Sequence, residues 1–374
     1  MSVQTFLMAL WKSFLVIAGL YALLLVTHQD QFVTNQLKHL PPNGLVLLFI
    51  GGMALFLWRL QALIPLKVLF KACFLGTLLL TLLSYAGNEN QLCELIAHFR
   101  VQYLVLTLLS GIGLILTDSM QWLLPVLVTI GFVGYPIYSY YVPAAKPVQT
   151  NAAFRLMNVN VLKQNEHYAL LGKAIQKYQP DILALQEPDQ AWLTALSPYL
   201  KNYPYRKLIP QDNNFGIALY SKIPVSHVEE KWFGEDYLGV KFPSILVELT
   251  WANRHFSVLV THPLPPSGGF EVRNSQLLDI ATQKAQWGEN VIVTGDLNIS
   301  QWSPVFQEFM KRSNLNDTQR GFGVQPSWMV DSIAFAIPID HVLVSPKFRV
   351  INRQIGPDIG SDHRPVIVDL TLVP

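Results

Sequence analysis

The chain is poor in charge. Only 14% of its 374 residues are Asp, Glu, Lys or Arg, against about 25% in an ordinary globular protein. A disordered chain, which needs high charge and low hydrophobicity, is excluded. There are only two cysteines, too few for a multi-bridge disulfide framework or a Cys-rich zinc site. No excess of one sign is present either: the net charge of +2 gives the whole molecule no strong attraction for polyanions. Internal repeats and low-complexity runs are absent from the sequence.

The little charge present is unevenly placed. The first 150 residues hold eleven formal charges and the remaining 224 hold 41. Two materials meet near residue 145. A spanning helix needs ~20 mostly apolar residues, and five segments qualify, at 5–27, 44–66, 67–87, 101–117 and 120–141. The run from Ser119 to Ala145 has no charge at all. The first segment lacks a small-residue cleavage site and is followed by further spans, so it reads as an uncleaved anchor. These helices make the lipid bilayer the expected partner of residues 1–142. Paired intramembrane charges, the usual mark of an ion pathway, are missing, so a transporter has no support.

Short basic loops stay cytoplasmic. Lys12, Arg59, Lys67 and Lys71 therefore place the turn between the second and third spans inside, and the 88–100 segment, with Glu89, Glu94 and Arg100, reads as an outer loop. With five spans, the C-terminal half emerges outside the cytoplasm. One span fewer would reverse this. Residues 143–152, rich in Pro and Ala, form a linker; from Tyr141 to Phe154 it spans at most ~45 Å, which holds the following domain near the headgroups.

From residue 153 apolar strands and amphipathic helices alternate, which predicts an α/β or mixed α+β domain over 153–374. Strands are expected at 154–162, 181–186, 215–220, 244–250, 255–261, 291–295, 339–344 and 364–372. Helices are expected at 166–178, capped by Asn165, and at 271–287 and 304–312. This half is nearly neutral, so no basic face for long nucleic acid shows in its composition.

Polar side chains sit at the ends of the apolar strands. Asn158 and Asn160 lie two apart and share a face of the first strand. Glu187 ends the second, His262 follows Val258-Leu-Val-Thr, and Asp296 and Asn298 follow Val291-Ile-Val-Thr-Gly. Asp340 begins a strand, and Ser361-Asp-His-Arg364 precedes another. Singly, each is an ordinary turn or cap residue. In this order, with Gly295-Asp-Leu-Asn298 and Gly360-Ser-Asp-His363 together, residues 153–372 resemble the deoxyribonuclease I-like endonuclease/exonuclease/phosphatase superfamily. Asn214-Phe-Gly-Ile-Ala-Leu-Tyr-Ser221, Thr261-His-Pro-Leu-Pro-Pro266 and Ile339-Asp-His-Val-Leu-Val-Ser345 resemble a bacterial, membrane-anchored branch of it.

The resemblance implies two mixed β-sheets packed as a sandwich with flanking helices, and metal-assisted hydrolysis of a phosphoester. Mg²⁺, with Mn²⁺ as substitute, would be held by Glu187 with Asn158 and Asp362. Asp296 would activate water, Asn298 would fix a phosphate oxygen, His363 oriented by Asp340 would stabilise charge, and His262 would assist the leaving group. Asn160 falls where some members carry Asp, and Phe215 where several carry Tyr. The substrate implied is nucleic acid or a phospholipid headgroup. A non-catalytic, membrane-tethered binding module on the same fold is the alternative; it is disfavoured because no acidic or histidine position of the set is missing.

Overall fold

The computed structural model describes residues 65–142, 153–234, 242–332 and 334–373. The expected span at 5–27, all but the last two residues of 44–66, and the 143–152 linker lie outside the described residues. Contacts divide the described chain into two compact units, one of residues 65–77 and 106–126, the other of 78–105 and 127–373.

Three described helices are long and apolar enough to cross a membrane: Leu66–Ala86, Arg100–Thr117 and Met120–Tyr138. Their regular α-helical parts are α1 (Leu66–Leu83), α3 (Arg100–Thr117) and α4 (Leu123–Tyr138). Apolar residues lie on all their faces, and Leu79, Leu116 and Leu124 are more than half exposed. In the smaller unit, Lys71 Nζ meets Asp118 Oδ2 at 2.6 Å and the Trp122 indole donates to the same oxygen at 2.8 Å. The turn at Asp118, which has no basic residue of its own, is thus paired with the first turns of α1.

Between α1 and α3 the 88–100 segment is not all loop. Asn90 caps a short helix, α2 (Gln91–Ala97), by accepting the backbone N–H groups of Leu92 and Cys93. Glu94 of α2 is fully buried.

The larger unit contains two six-stranded sheets. Its elements after α4 are β1 (Phe154–Asn160), α5 (Tyr168–Tyr178), β2 (Ile182–Gln186), α6 (Gln190–Leu196), β3 (Tyr205–Ile209), β4 (Ile217–Ser221), β5 (Val225–Trp232), β6 (Pro243–Trp251), β7 (Arg254–Val260), α7 (Pro266–Gln283), β8 (Val291–Asp296), α8 (Pro304–Ser313), β9 (Asn316–Asp317), β10 (Asp340–Val344), β11 (Phe348–Ile355) and β12 (Val366–Leu372). The sheet orders are β11-β12-β1-β2-β4-β3 and β5-β6-β7-β8-β10-β9. Pairing is antiparallel except for β1/β2 and β7/β8, so both sheets are mixed.

Alternation along the central strands explains the layering. Leu156, Ala184 and Leu219 of one sheet and Val247, Val258, Ile292 and Val342 of the other share one inner core. Residues of opposite parity face outward. Met157 and Leu183 meet Leu171, Ile175 and Trp192 of α5 and α6, while Leu259 and Val293 meet Leu277, Ile280 and Phe306 of α7 and α8. Central strands are therefore buried on both faces and read as continuous apolar runs.

The sequence expectations differ from the structure at the sheet edges, at helix α6 (Gln190–Leu196), which was not expected, and at the starts of α5 and α7. Strands β3, β5, β9 and β11 are all sheet edges; half-exposed edges carry polar residues and blur the apolar signal. Helix α5 starts at Tyr168 rather than 166, because Asn165 is a buried tie instead of a cap. Its amide donates to the carbonyls of Val161 and Ile359 while its oxygen accepts the His167 N–H. Helix α7 starts five residues early, at Pro266, across a kink at Gly269, and its α-helical part ends at Gln283.

Candidate active site

Five strand ends converge on one edge of the sandwich. Parallel pairing puts Asn160 beside Gln186, the residue before Glu187. Antiparallel pairing of β8 with β10 sets Asp296 opposite Asp340. Parallel pairing of β7 with β8 brings His262 level with Asp296, and this needs glycine at 295. There φ is +155°, and a Cβ would lie 1.8 Å from the Thr261 carbonyl oxygen. Glu187 and Asn298 also adopt left-handed backbone, with φ of +65° and +52°. Such conformations cost ~1–3 kcal/mol each and persist only where neighbours hold them. The Glu187 N–H is held by the Gly216 carbonyl at 2.8 Å. Asn298 donates its own N–H to Asp296 Oδ1 at 2.9 Å and its amide to the Pro263 carbonyl at 3.0 Å.

Asp296 is the hub. Its Oδ2 lies 3.5 Å from His262 Nε2 and 3.6 Å from His363 Nε2, and accepts the Asn160 amide at 3.1 Å. The same Asn160 nitrogen donates to Glu187 Oε1 at 3.0 Å. His363 Nδ1 meets Asp340 Oδ2 at 2.8 Å. All of these side chains are buried, with Glu187 the most open at 8%. Phe215 lies against His262, with ring centroids 5.7 Å apart.

Burial in so small a volume works against every charge, but opposite charges outweigh it. Burial alone would push Asp296 up; His363 and His262 instead hold it well below the usual carboxylate range. Burial likewise opposes charge on His363, yet Asp340 and Asp296 raise its pKa to about 10. His262 is raised more modestly by Asp296 and Glu187 against its own desolvation. Since the folded pKa of His363 exceeds its ordinary value near 6.5, the stability it lends is complete below that value and disappears as pH rises toward 10. Replacing Asp340 by Asn removes the largest favourable influence on that charge. The expected result is a fall in the His363 pKa of more than about one unit, read by imidazole NMR titration of the full chain in detergent; an unchanged titration would contradict the pairing.

Of the expected residues, Glu187, His262, Asp296, Asp340 and His363 come together. Asp362 is beside them, its Oδ1 4.0 Å from His363 Nε2 and its Oδ2 accepting the Trp328 indole at 2.9 Å. Asn298 contributes its backbone N–H to Asp296, but its side-chain amide is engaged by Pro263. Asn158 lies two residues earlier on β1, where its oxygen accepts from Gln186 at 3.0 Å, and Asn160 occupies the place between the carboxylates. The two asparagines share a face, and that parity alone does not tell which of them reaches the strand end. Supporting residues not expected from sequence include Ser361, which donates to the Asn160 carbonyl, and Ser327, which accepts the Asp340 N–H. His341 points to the other face, at 2.8 Å from the Ile299 carbonyl, and Arg364 pairs with Asp331 and Asp358.

The donor set suits a hard divalent cation, which prefers oxygen. Asp340 Oδ1 and Asp362 Oδ1 are buried without a hydrogen-bond partner, and buried polar atoms seldom stay so. Ligand atoms of Asp296, Asp340 and His363 lie within 4.8 Å of one another. His363 already engages both aspartates of that trio, its Nδ1 at 2.8 Å from Asp340 Oδ2 and its Nε2 at 3.6 Å from Asp296 Oδ2. Glu187 accepts the Asn160 amide at 3.0 Å on Oε1 and the Lys163 backbone N–H at 3.3 Å on Oε2.

At the rim of the two-sheet sandwich, then, one buried carboxylate is flanked by two imidazoles and an amide. The family model described as the Endonuclease/Exonuclease/phosphatase family matches residues 156–363, more than half of the chain. The chain belongs to that family and is, by membership, a metal-dependent phosphoesterase. Solved structures of similar fold include the human Nocturnin catalytic domain with bound sulfate, 22% identical over 62% of this chain and 100% of that one, TM-score 0.50. An endonuclease/exonuclease/phosphatase from Beutenbergia cavernae is 20% identical over 60% and 72% of the two chains, TM-score 0.50. Humanized zebrafish TDP2 is 15% identical over 59% and 99%, TM-score 0.50. At these identities they speak for the fold alone. No curated protein matches the chain.

Proposed function

We propose that this chain is a membrane-anchored phosphodiesterase that uses Mg²⁺, with Mn²⁺ as substitute, on a nucleic acid or a phospholipid headgroup. The observation that carries the reading is the contact of one buried carboxylate, Asp296, with His262, His363 and Asn160. Asp296, ionised by its neighbours, orients a water and takes its proton. His363, kept charged by Asp340, binds a phosphate oxygen. His262 gives a proton to the departing oxygen. Asn298 holds Asp296 in place, and its amide is near enough in sequence to serve the phosphate if Pro263 releases it. Glu187, with Asn160 and Asp362 nearby, would hold the cation, which would supply charge relief to the phosphate.

In this reading residues 1–142 form the membrane domain, 143–152 a linker and 153–374 the catalytic domain. Pairing of Lys71 with Asp118 favours a common, cytoplasmic level for Lys67, Lys71 and the 118 turn. Helix α4 then exits on the other side, which supports an extracytoplasmic catalytic domain.

The test is hydrolysis of bis(4-nitrophenyl) phosphate by the full chain in detergent. Chelation is expected to abolish it, and Mg²⁺ or Mn²⁺ to restore it. Glu187→Gln is expected to raise the metal concentration for half-activity by about 10–100-fold or more. Hydrolysis indifferent to chelator and to this substitution would refute the assignment.

A further inference from the structure

The loops leaving the site strands are tied to the ends of the apolar helices, all within the larger compact unit. After Asp296 the chain runs through Asn298, whose carbonyl accepts Arg273 at 2.7 Å; Arg273 in turn pairs with Glu94 of α2 at 2.5 Å, both side chains being fully buried. Ser300 donates its N–H to His98 Nδ1 at 3.2 Å, and Ser303 donates to Glu94 at 2.9 Å. After His262, the Pro266 carbonyl accepts the Gln91 amide at 3.0 Å. Before Asp340, the Ala336 carbonyl accepts Gln102 at 2.9 Å, and the N–H groups of Gly321 and Gly323 both reach the Tyr140 carbonyl at 2.9 Å. Gln91, Glu94 and His98 lie between α1 and α3, Gln102 is in the first turn of α3, and Tyr140 comes two residues after α4. Three of the site's loops thus rest at the level where the apolar helices end.

That level carries an aromatic mark. Tyr85, Tyr135, Tyr138 and Tyr141 are 49–77% exposed, at the same ends of α1 and α4. Tyrosine gathers where hydrocarbon gives way to headgroups. Few cations on these loops are free to follow a chain of phosphates. Among the described residues, the Lys163 ammonium sits on the Asp212 carbonyl, Arg273 is buried against Glu94, Arg320 lies over the Tyr140 ring, and Arg364 bridges Asp331 and Asp358. Nucleic-acid binding depends on neutralising many phosphates; this edge is built for one.

Resting on the phosphodiesterase reading, we infer that the substrate is a phospholipid of the bilayer in which the chain is anchored, its single phosphodiester entering the site at headgroup level. The oxygen of water joins phosphorus, one P–O ester bond breaks, and the alcohol oxygen that departs takes up a proton. The products are one alcohol and one phosphate monoester.

The experiment uses the full chain in vesicles of phosphatidylethanolamine, phosphatidylglycerol and phosphatidylcholine with Mg²⁺. Plasmid DNA, a single-stranded oligonucleotide and bis(4-nitrophenyl) phosphate are offered in parallel, and products are identified by mass spectrometry. The expected result is cleavage of at least one phospholipid at a rate that falls about tenfold when its mole fraction is diluted tenfold with a phosphate-free glycolipid, with both nucleic acids intact. Cut nucleic acid beside intact lipid overturns the inference, as does hydrolysis of the small diester alone; both leave the phosphodiesterase reading in place. No hydrolysis of any substrate overturns that reading and this inference with it.

Discussion

Replacing Asp296 with Asn is expected to lower kcat for phosphodiester hydrolysis by about 10²–10⁴-fold, the usual worth of a positioned general base. The change keeps the shape of the side chain, and its oxygen can still accept the Asn298 N–H. What disappears is the negative charge that His262, His363 and Asn160 share. The new amide also brings a donor to a point already surrounded by donors, and both imidazoles lose a major source of their raised pKa. KM is expected to change much less than kcat. The measurement is steady-state kinetics on bis(4-nitrophenyl) phosphate with circular dichroism as a check on folding. Glu308→Gln, which breaks only an exposed pair with Arg312 on α8, serves as control and should leave the rate unchanged. An Asp296→Asn protein with near-normal kcat would remove Asp296 from the chemistry.

Glu94→Ala is expected to destabilise the larger unit by about 3–5 kcal/mol, because it leaves a buried guanidinium without its carboxylate. Arg273 is fully buried and also holds the Asn298 carbonyl, so the effect reaches the loop that carries Asp296. Thermal unfolding of the full chain in detergent would show the loss, and activity measured well below the transition should fall with it. Adding Arg273→Met removes the stranded charge and is expected to recover much of the stability, since replacing a whole buried pair by apolar groups is often neutral. Equal stability of Glu94→Ala and the unaltered chain would show that the pair carries no weight. The same reasoning covers a fragment that starts at residue 153. It lacks Glu94, strands Arg273, and should be less stable than the intact chain by a similar amount.

Glu94 also shows where sequence reasoning stops. A lone acid in a short segment between two spans reads as a loop charge, and its partner is 179 residues away in sequence; no local period connects them. The central strands were legible because both faces are buried and each run is continuous and apolar, whereas in the edge strands β3, β5 and β11 polar residues interrupt the run. The site was legible to the extent that strand ends carry it. Glu187, His262, Asp296, Asp340 and His363 each follow or begin an apolar run, and their order along the chain suffices to associate them. Asn158 and Asn160 were not separable in that way, since the choice turns on how far β1 extends past its pairing with β2. The carbonyl and hydroxyl supports from Pro263, Ser327 and Ser361 leave no sequence pattern, because their work is done through single hydrogen bonds across the fold.

Strand β12 lies between β11 and β1 in its sheet, so the earliest strand of the larger unit waits for the latest before it gains a neighbour on that side. His363, the partner of Asp340, is delivered by the same closing segment. During synthesis residue 363 leaves the ribosome after every other member of the candidate site, which stays one side chain short until β12 is delivered.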